Sequence, residues 1–294
     1  MTRGSDNTPF FLLGAARSGT TMLRLMLNRH SRLAIPFESH FLRQIFAEMP
    51  SDRKLEIREA DRMADLVISE KNFRTWHLDP TRVREELVRL APAPLAVLVD
   101  VLFRMEIAES GKPRWGDKTP IYYDCWPRLM GLFPGSKLVH IIRDGRDVSR
   151  SLERVGWHGP TGYDRARYWQ ERVEMAYAAG RELGRERNLI IRYEDLVLET
   201  RATLGAVCDF LGERYEHQML NFFEDASQHL SDIDGDVHTK LRRAPRPDDV
   251  GRWRREMPLE GQIEFEAIAG SSLRAMSYPC LFSNLTASME PRDG

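Results

Sequence analysis

Phe10-Phe11-Leu12-Leu13 is a short apolar run stopped by Gly14, the pattern of a strand buried in a parallel sheet. A small, polar stretch from Ala15 to Thr21 follows. Met22, Leu25, Met26 and Leu27 then recur at near-helical spacing, so a helix is expected to start near Thr20 and run to Arg29. Strand, tight loop, helix is the opening of an α/β nucleotide-binding unit. The run from Lys137 to Ile142 (Lys-Leu-Val-His-Ile-Ile) is the clearest central strand; Leu189 to Ile191 reads as another, and Trp115 to Lys118 as a short strand end. Helices are expected from Tyr123 to Phe133, from Asp144 to Val155, from Arg201 to Leu211 and from Leu259 to Met276. A longer one is expected from Asp164 to Leu183, where Trp169, Val173 and Tyr177 fall at i, i+4 and i+8.

Between His40 and Arg114 the apolar positions follow helical spacing, with Leu42, Ile45 and Phe46 on one face and Leu95, Leu98, Val99, Leu102 and Phe103 on another. Pro80, Pro92 and Pro94 punctuate the stretch and no convincing strand is visible, so about residues 41–112 read as a helical cap inserted beside the sheet. Asp232 to Asp249, rich in Asp, Pro and Arg, reads as a loop. No repeat or long linker divides the chain, so residues 1–294 are expected to form one domain: a three-layer α/β fold, a P-loop-like parallel sheet flanked by helices, with the helical cap.

Composition narrows the function classes. Lys plus Arg is 43 against 44 for Asp plus Glu, which gives no bulk electrostatic reason to bind nucleic acid or an anionic membrane. No apolar run approaches the roughly 20 residues that span a bilayer, and the first nine residues lack the pattern of a signal peptide. Cys125, Cys208 and Cys280 are far apart and form no CxxC pair, so neither a zinc knot nor a disulfide framework is suggested; a cytoplasmic protein is expected. Lysine occurs only six times and arginine carries the remaining positive charge, as in a GC-rich bacterial genome.

The chemistry concentrates first in Gly14-Ala-Ala-Arg17-Ser18-Gly19-Thr20-Thr21. Small residues admit an anion close to backbone N–H groups, and a helix N-terminus adds unsatisfied donors. A nucleoside-triphosphate P-loop places Lys directly after its second glycine. Here Gly19 is followed by Thr20 and the cation comes earlier, at Arg17, so a magnesium triphosphate would lose its main contact. A second anion-binding candidate follows the clearest strand. Arg143 sits at its end and Ser151 lies eight residues on, about two helical turns, so both can converge on one anion.

These segments resemble those of sulfotransferases that use 3′-phosphoadenosine 5′-phosphosulfate (PAPS). Arg17-Ser-Gly-Thr-Thr21 is similar to the family's 5′-phosphosulfate loop, and its continuation through Met22, Arg24 and Met26-Leu27 resembles tyrosylprotein sulfotransferases and a related bacterial group. The resemblance implies that Arg17 steadies the sulfuryl group and the leaving phosphate, that Ser18, Gly19, Thr20 and Thr21 bind the 5′-phosphate, and that Arg143 and Ser151 bind the 3′-phosphate. It places Tyr193, in Tyr193-Glu194-Asp195, near the adenine, and Gly251 and Arg252 in a closing segment ahead of Trp253. It makes Glu38, 21 residues after Arg17, the base that takes the proton of the acceptor hydroxyl, with His40 and then His158 as alternatives. Lys118, in Gly116-Asp-Lys-Thr-Pro120, stabilises charge on the transferred group or orients Glu38. No metal is required by this scheme.

The expected activity is therefore transfer of a sulfuryl group from PAPS to a hydroxyl of an unidentified acceptor: small molecule, glycan, lipid or peptide tyrosine. A P-loop kinase and a non-catalytic module binding adenosine 3′,5′-bisphosphate stand as alternatives. The missing Gly-Lys step argues against the first, and the presence of both Arg17 and Glu38 against the second.

Overall fold

The computed structural model describes residues 7–224 and 241–282. β1 (Phe10–Leu13) turns through the glycine-bounded loop into α1 (Thr20–Asn28), followed by a two-residue strand, β2 (Leu33–Ala34). α2 (Phe41–Glu48), β3 (Lys54–Leu55), α3 (Ile57–Ser69), α4 (Pro80–Leu90), β4 (Ala93–Pro94) and α5 (Leu95–Ile107) make the cap. β5 (Arg114–Asp117), α6 (Trp126–Leu132), β6 (Lys137–Ile142), α7 (Gly145–Val155), α8 (Gly162–Leu183) and β7 (Asn188–Arg192) return to the sheet. α9 (Tyr193–Leu198), α10 (Thr200–Leu211), α11 (Trp253–Glu256) and α12 (Leu259–Ala275) complete the described helices.

The main sheet runs β2-β5-β1-β6-β7, and all four pairings are parallel. β1 is central, with Phe10 opposite Lys137 and Leu13 opposite His140 on one side, and Phe10 opposite Gly116 on the other. All four of its side chains are buried, which is why its sequence is continuously apolar rather than alternating. Phe11 and Leu13 face the cap, while Phe10 and Leu12 face α1 and α10. A third cluster joins α7, α8 and α12 through Val148, Trp169 and Phe265. The cap is fastened where Trp115 stacks on Phe103, ring centres 4.0 Å apart, and donates its indole N–H to Asp100 at 2.7 Å.

Three local expectations change. The cap holds one antiparallel ribbon, β3 with β4, where a wholly helical stretch was expected; two residues per strand are too few to show alternation. β2 pairs with β5 as an edge strand and is too short for the same reason. The helix expected from Tyr123 divides into a 3-10 turn at Pro120–Asp124 and α6, because Cys125 is non-helical (φ −122°) and Pro127 enters the first turn. In the loop expected from Asp232 to Asp249, residues 232–240 lie outside the described residues, and Pro247–Asp249 forms a 3-10 turn. Among the described residues no helix is long and apolar enough to cross a membrane.

Candidate active site

The carboxyl ends of all five parallel strands open onto one region, the crevice position usual for ligands of α/β sheets. β1 contributes the loop from Gly14 to Gly19, β2 the segment holding Glu38 and His40, β5 Lys118, β6 Arg143 and β7 Tyr193.

The β1 loop is tightly cornered. A Cβ on Gly14 would lie 2.7 Å from both the Ile141 carbonyl oxygen and the Thr20 methyl; Gly19, at φ 95°, would place one 2.5 Å from the Tyr193 ring. Arg17 itself adopts φ 70°, a left-handed conformation costly for a side-chain-bearing residue and often found at functional sites. It is held by Nε donating to Ser151 Oγ at 3.1 Å, while the neighbouring Ala16 N–H donates to the Tyr168 hydroxyl at 2.9 Å. Ser18 is buried, and its hydroxyl has no protein partner among the described residues. Thr20 and Thr21 start α1, so its free amides face the same space.

Arg143 closes the other side. Its Nη1 donates to the Arg17 carbonyl at 3.3 Å and its Nη2 to the Asp249 carbonyl at 3.1 Å; Asp147 pairs with it at 3.3 Å, and its guanidinium lies 4.6 Å above the Tyr193 ring. Its Nε is buried without a partner among the described residues. Glu194 fixes this corner from below, accepting the Asp144 N–H at 3.0 Å and the Tyr278 hydroxyl at 2.7 Å. Arg17, Ser151 and Arg143 thus belong to one hydrogen-bonded chain, but Ser151 bonds to Arg17 rather than sharing a bond with Arg143. Gly251 donates its N–H to Asp147 at 2.9 Å, and Arg252 pairs with Glu256 at 2.6 Å. The arginine that reaches the hollow from this segment is Arg243, paired with both Asp249 oxygens at 2.9 and 3.0 Å. No recognisable spacing marks it in the sequence.

Glu38 lies between Lys118 and His40. One carboxylate oxygen pairs with Lys118 Nζ and the other accepts from His40 Nε2 at 2.9 Å. Burial pushes this carboxyl up, but the Lys118 charge and the hydrogen bonds from His40 and Lys118 outweigh it and hold the group at about 2. Lys118 Nζ also lies 3.5 Å from Thr21 Oγ1 at the start of α1. A buried polar knot underneath was not anticipated. Ser39 Oγ donates to Asp117 Oδ1 at 2.8 Å and Thr119 Oγ1 does so at 3.1 Å; Ser39 N–H donates to Thr119 Oγ1 at 3.0 Å. Ser39 follows Glu38 and Asp117 precedes Lys118, so these bonds pin together the two backbones that carry the pair.

Two hollows meet here. A smaller one, about 110 Å³, is lined by Gly19, Arg143, Tyr193 and Arg243, and a larger one, about 730 Å³, by Glu38, His40, Lys118, Lys71, Trp157 and Tyr168 among others. Arg17, Thr20 and Thr21 line both, so the two are contiguous. His158 also faces the larger hollow, stacked on Tyr168 at 3.9 Å, its pKa lowered by burial and by Arg172. A backbone cradle, the Ser18 hydroxyl and Arg143 Nε, which have no partner among the described residues, and a helix N-terminus suit oxyanions at one end, and a carboxylate faces them across Arg17.

Fold and site together define an α/β protein whose sheet carries, at its carboxyl edge, a hollow suited to a multiply charged anion, with a second chamber beside it. The chain belongs to the sulfotransferase family, which it matches over residues 9–217. It is similar to protein-tyrosine sulfotransferase 2 of Gallus gallus, 28% identical over 221 residues (73% of this chain and 53% of that one), and to the protein-tyrosine sulfotransferase of Drosophila melanogaster, 25% identical over 224 residues (73% and 40%). The chain therefore spans about half the length of these relatives. Among solved structures, the sulfotransferase domain of the Synechococcus PCC 7002 olefin synthase shares the fold, with TM-score 0.67, 24% identity, and 94% of this chain and 97% of that one covered.

Proposed function

We propose that the chain transfers the sulfuryl group of PAPS to a hydroxyl of an acceptor seated in the larger hollow. The observation that carries this reading is the continuity of the two hollows through Arg17, Thr20 and Thr21, with Glu38 and Lys118 facing that junction. The α1 amides and Ser18 to Thr21 bind the 5′-phosphate. Arg143, with Arg243 beside it, takes the 3′-phosphate, and Ser151 reaches the same anions through Arg17. Tyr193 lies in the nucleotide hollow, where its ring meets the adenine; Gly251 and Arg252 close the segment behind it.

In the transfer, the acceptor oxygen forms a bond to sulfur as the bond from sulfur to the bridging phosphate oxygen breaks, and the hydroxyl proton passes to Glu38. Arg17 and Lys118 stabilise the charge that gathers on the bridging and sulfuryl oxygens. A carboxylate held at about 2 is a weak proton acceptor near neutrality. The base role therefore has Lys118 drawn from Glu38 toward the negatively charged donor, a short step because Thr21 already lies within its reach. The free thiols of Cys125, Cys208 and Cys280 support a reducing, cytoplasmic setting.

Sulfur-35 transfer from labelled PAPS to a panel of phenols, sugars and lipids tests the reading. Arg17→Ala is expected to abolish transfer with the fold intact, and Glu38→Gln to lower turnover by about 10²-fold or more while sparing nucleotide affinity. Unchanged turnover in Glu38→Gln removes that residue from the base role. Magnesium-dependent ATP binding without PAPS turnover replaces the proposal with a kinase, and nucleotide binding without transfer replaces it with a non-catalytic module.

A further inference from the structure

The larger hollow has a composition that selects among acceptors. Five cationic side chains line it, Arg17, Arg24, Lys71, Lys118 and Arg172, against one carboxylate, Glu38. Three are engaged elsewhere: Lys118 with Glu38, Arg17 with Ser151 and the donor end, and Arg24 with the Pro36 carbonyl at 3.0 Å and the Phe37 ring at 4.8 Å. Lys71, on the cap just beyond α3, makes no hydrogen bond or ion pair among the described residues. Arg172, on α8, lies 4.3 Å over the Tyr168 ring and, among the described residues, its one ion pair is with its exposed neighbour Glu171, at 3.0 Å. An excess of one sign in a walled cavity focuses the opposite charge.

The rest of the lining mixes polar side chains, Asn72 and Thr75 on the cap and the histidines, with the apolar and aromatic Phe37, Ile121, Trp157 and Tyr168. Ile121 is 40% exposed and Trp157 46% exposed, large for side chains of this kind at a cavity mouth. Trp157 sits in the turn between α7 and α8, its N–H donating to the Leu152 carbonyl at 3.1 Å; Gly156, the left-handed cap of α7, and Gly159 have φ 68° and 96°, and His158 has φ 57°. His158 bears a side chain and meets that conformation by stacking on Tyr168, the ring that Arg172 covers from above or below. The turn is tied down by Arg165 Nη1 donating to the Gly159 and Pro160 carbonyls at 3.4 and 3.2 Å. The indole of Trp157 is thus a fixed, half-open aromatic face at the cavity wall.

We infer that the larger hollow is a subsite for a small planar hydroxyl compound that carries an anionic group, with Trp157 covering its ring and Lys71 and Arg172 receiving its charge. The inference rests on the sulfotransferase reading for the orientation of the hydroxyl toward Glu38. The flat body lies between Trp157 on the α7–α8 turn and Ile121 beyond β5, and the acid points to the cap.

Calorimetric titration of the full chain tests this, using 3-(4-hydroxyphenyl)propanoate and its methyl ester as a matched pair, in the presence of saturating adenosine 3′,5′-bisphosphate. The acid is expected to bind about tenfold tighter than the ester, the effect of one partly screened ion pair. Lys71→Gln is expected to bring that ratio to about twofold or less, and Trp157→Ala to weaken both compounds about tenfold. Nucleotide binding by each variant reports that it is folded. Equal binding of acid and ester, survival of the ratio in Lys71→Gln, or binding of neither compound by protein that does bind the nucleotide overturns the subsite while leaving the family reading in place. Failure of the unaltered protein to bind the nucleotide overturns the reading on which the subsite rests.

Discussion

Replacing Lys118 by methionine takes the ammonium group from Glu38 and leaves a flexible chain of similar reach. Burial raises the Glu38 carboxyl, yet the Lys118 charge and the hydrogen bonds hold it at about 2 against an ordinary 4.5. That difference, about 2.5 units, corresponds to ~3.4 kcal/mol of preference for the charged form. A third of the side chain faces the open cavity, so solvent screens the pair and about half of that figure is a fair expectation. The depressed carboxyl stabilises the fold above about pH 4.5, and this contribution is lost as the pH falls toward 2. Without Lys118, burial is opposed mainly by His40, so the midpoint is expected to rise to 4.5 or beyond. Carbon-13 NMR of glutamate-labelled protein, with Glu38→Gln to assign the signal, reads this directly. At pH 4 the unaltered protein is expected to show an ionised Glu38, and Lys118→Met one more than half protonated. An ionised Glu38 in both proteins at pH 4 refutes the electrostatic account, as does a midpoint near 4.5 in the unaltered one.

Asp117 is fully buried, and burial pushes its carboxyl up to about 6. A raised carboxyl contributes stability that is fully present below the ordinary 3.8 and is lost as the pH rises to 6; Asp117→Asn is therefore expected to flatten the pH dependence of the melting temperature between about pH 4 and 6, and a slope equal to that of the unaltered protein contradicts this. Ser39→Ala breaks the knot beneath the Glu38–Lys118 pair, with an expected loss of about 1–3 kcal/mol in chemical unfolding and a fall in turnover larger than the fall in nucleotide affinity. Gly19→Ala faces both the Tyr193 ring and φ 95°, so nucleotide binding by calorimetry is expected to drop at least tenfold, with a stability cost of about 1–3 kcal/mol.

The strand, loop and helix around Arg17 and the strand before Arg143 were legible because they are written locally. The Phe10–Leu13 run, the glycines at 14 and 19 and the strand before Arg143 each carry their constraint within a few neighbouring residues. What escaped is built from distant pairs. Ser151 was matched with Arg143 by helical spacing, yet its hydroxyl accepts from Arg17, 134 positions away in sequence. Arg243 sits in a polar stretch with no periodicity, and only folding brings it to Asp249 and the smaller hollow. The knot of Ser39, Asp117 and Thr119 joins β2 to β5 across 78 positions and leaves no trace in either segment alone. The two-residue strands are likewise set by pairing partners and not by pattern. The ionisation of Glu38 could be anticipated in sign from a nearby lysine, but its extent depends on how completely the cap and sheet enclose it.

The central claim is that Arg17 and Arg143 grip opposite phosphates of one adenosine nucleotide. Calorimetric titration with adenosine 3′,5′-bisphosphate and with adenosine 5′-monophosphate, which differ only in the 3′-phosphate, tests it without knowledge of the acceptor. The bisphosphate is expected to bind at least about tenfold tighter, the effect of a charge-assisted contact to a buried guanidinium, and Arg143→Ala to erase the difference. Equal affinities for the two nucleotides in the unaltered protein contradict the account.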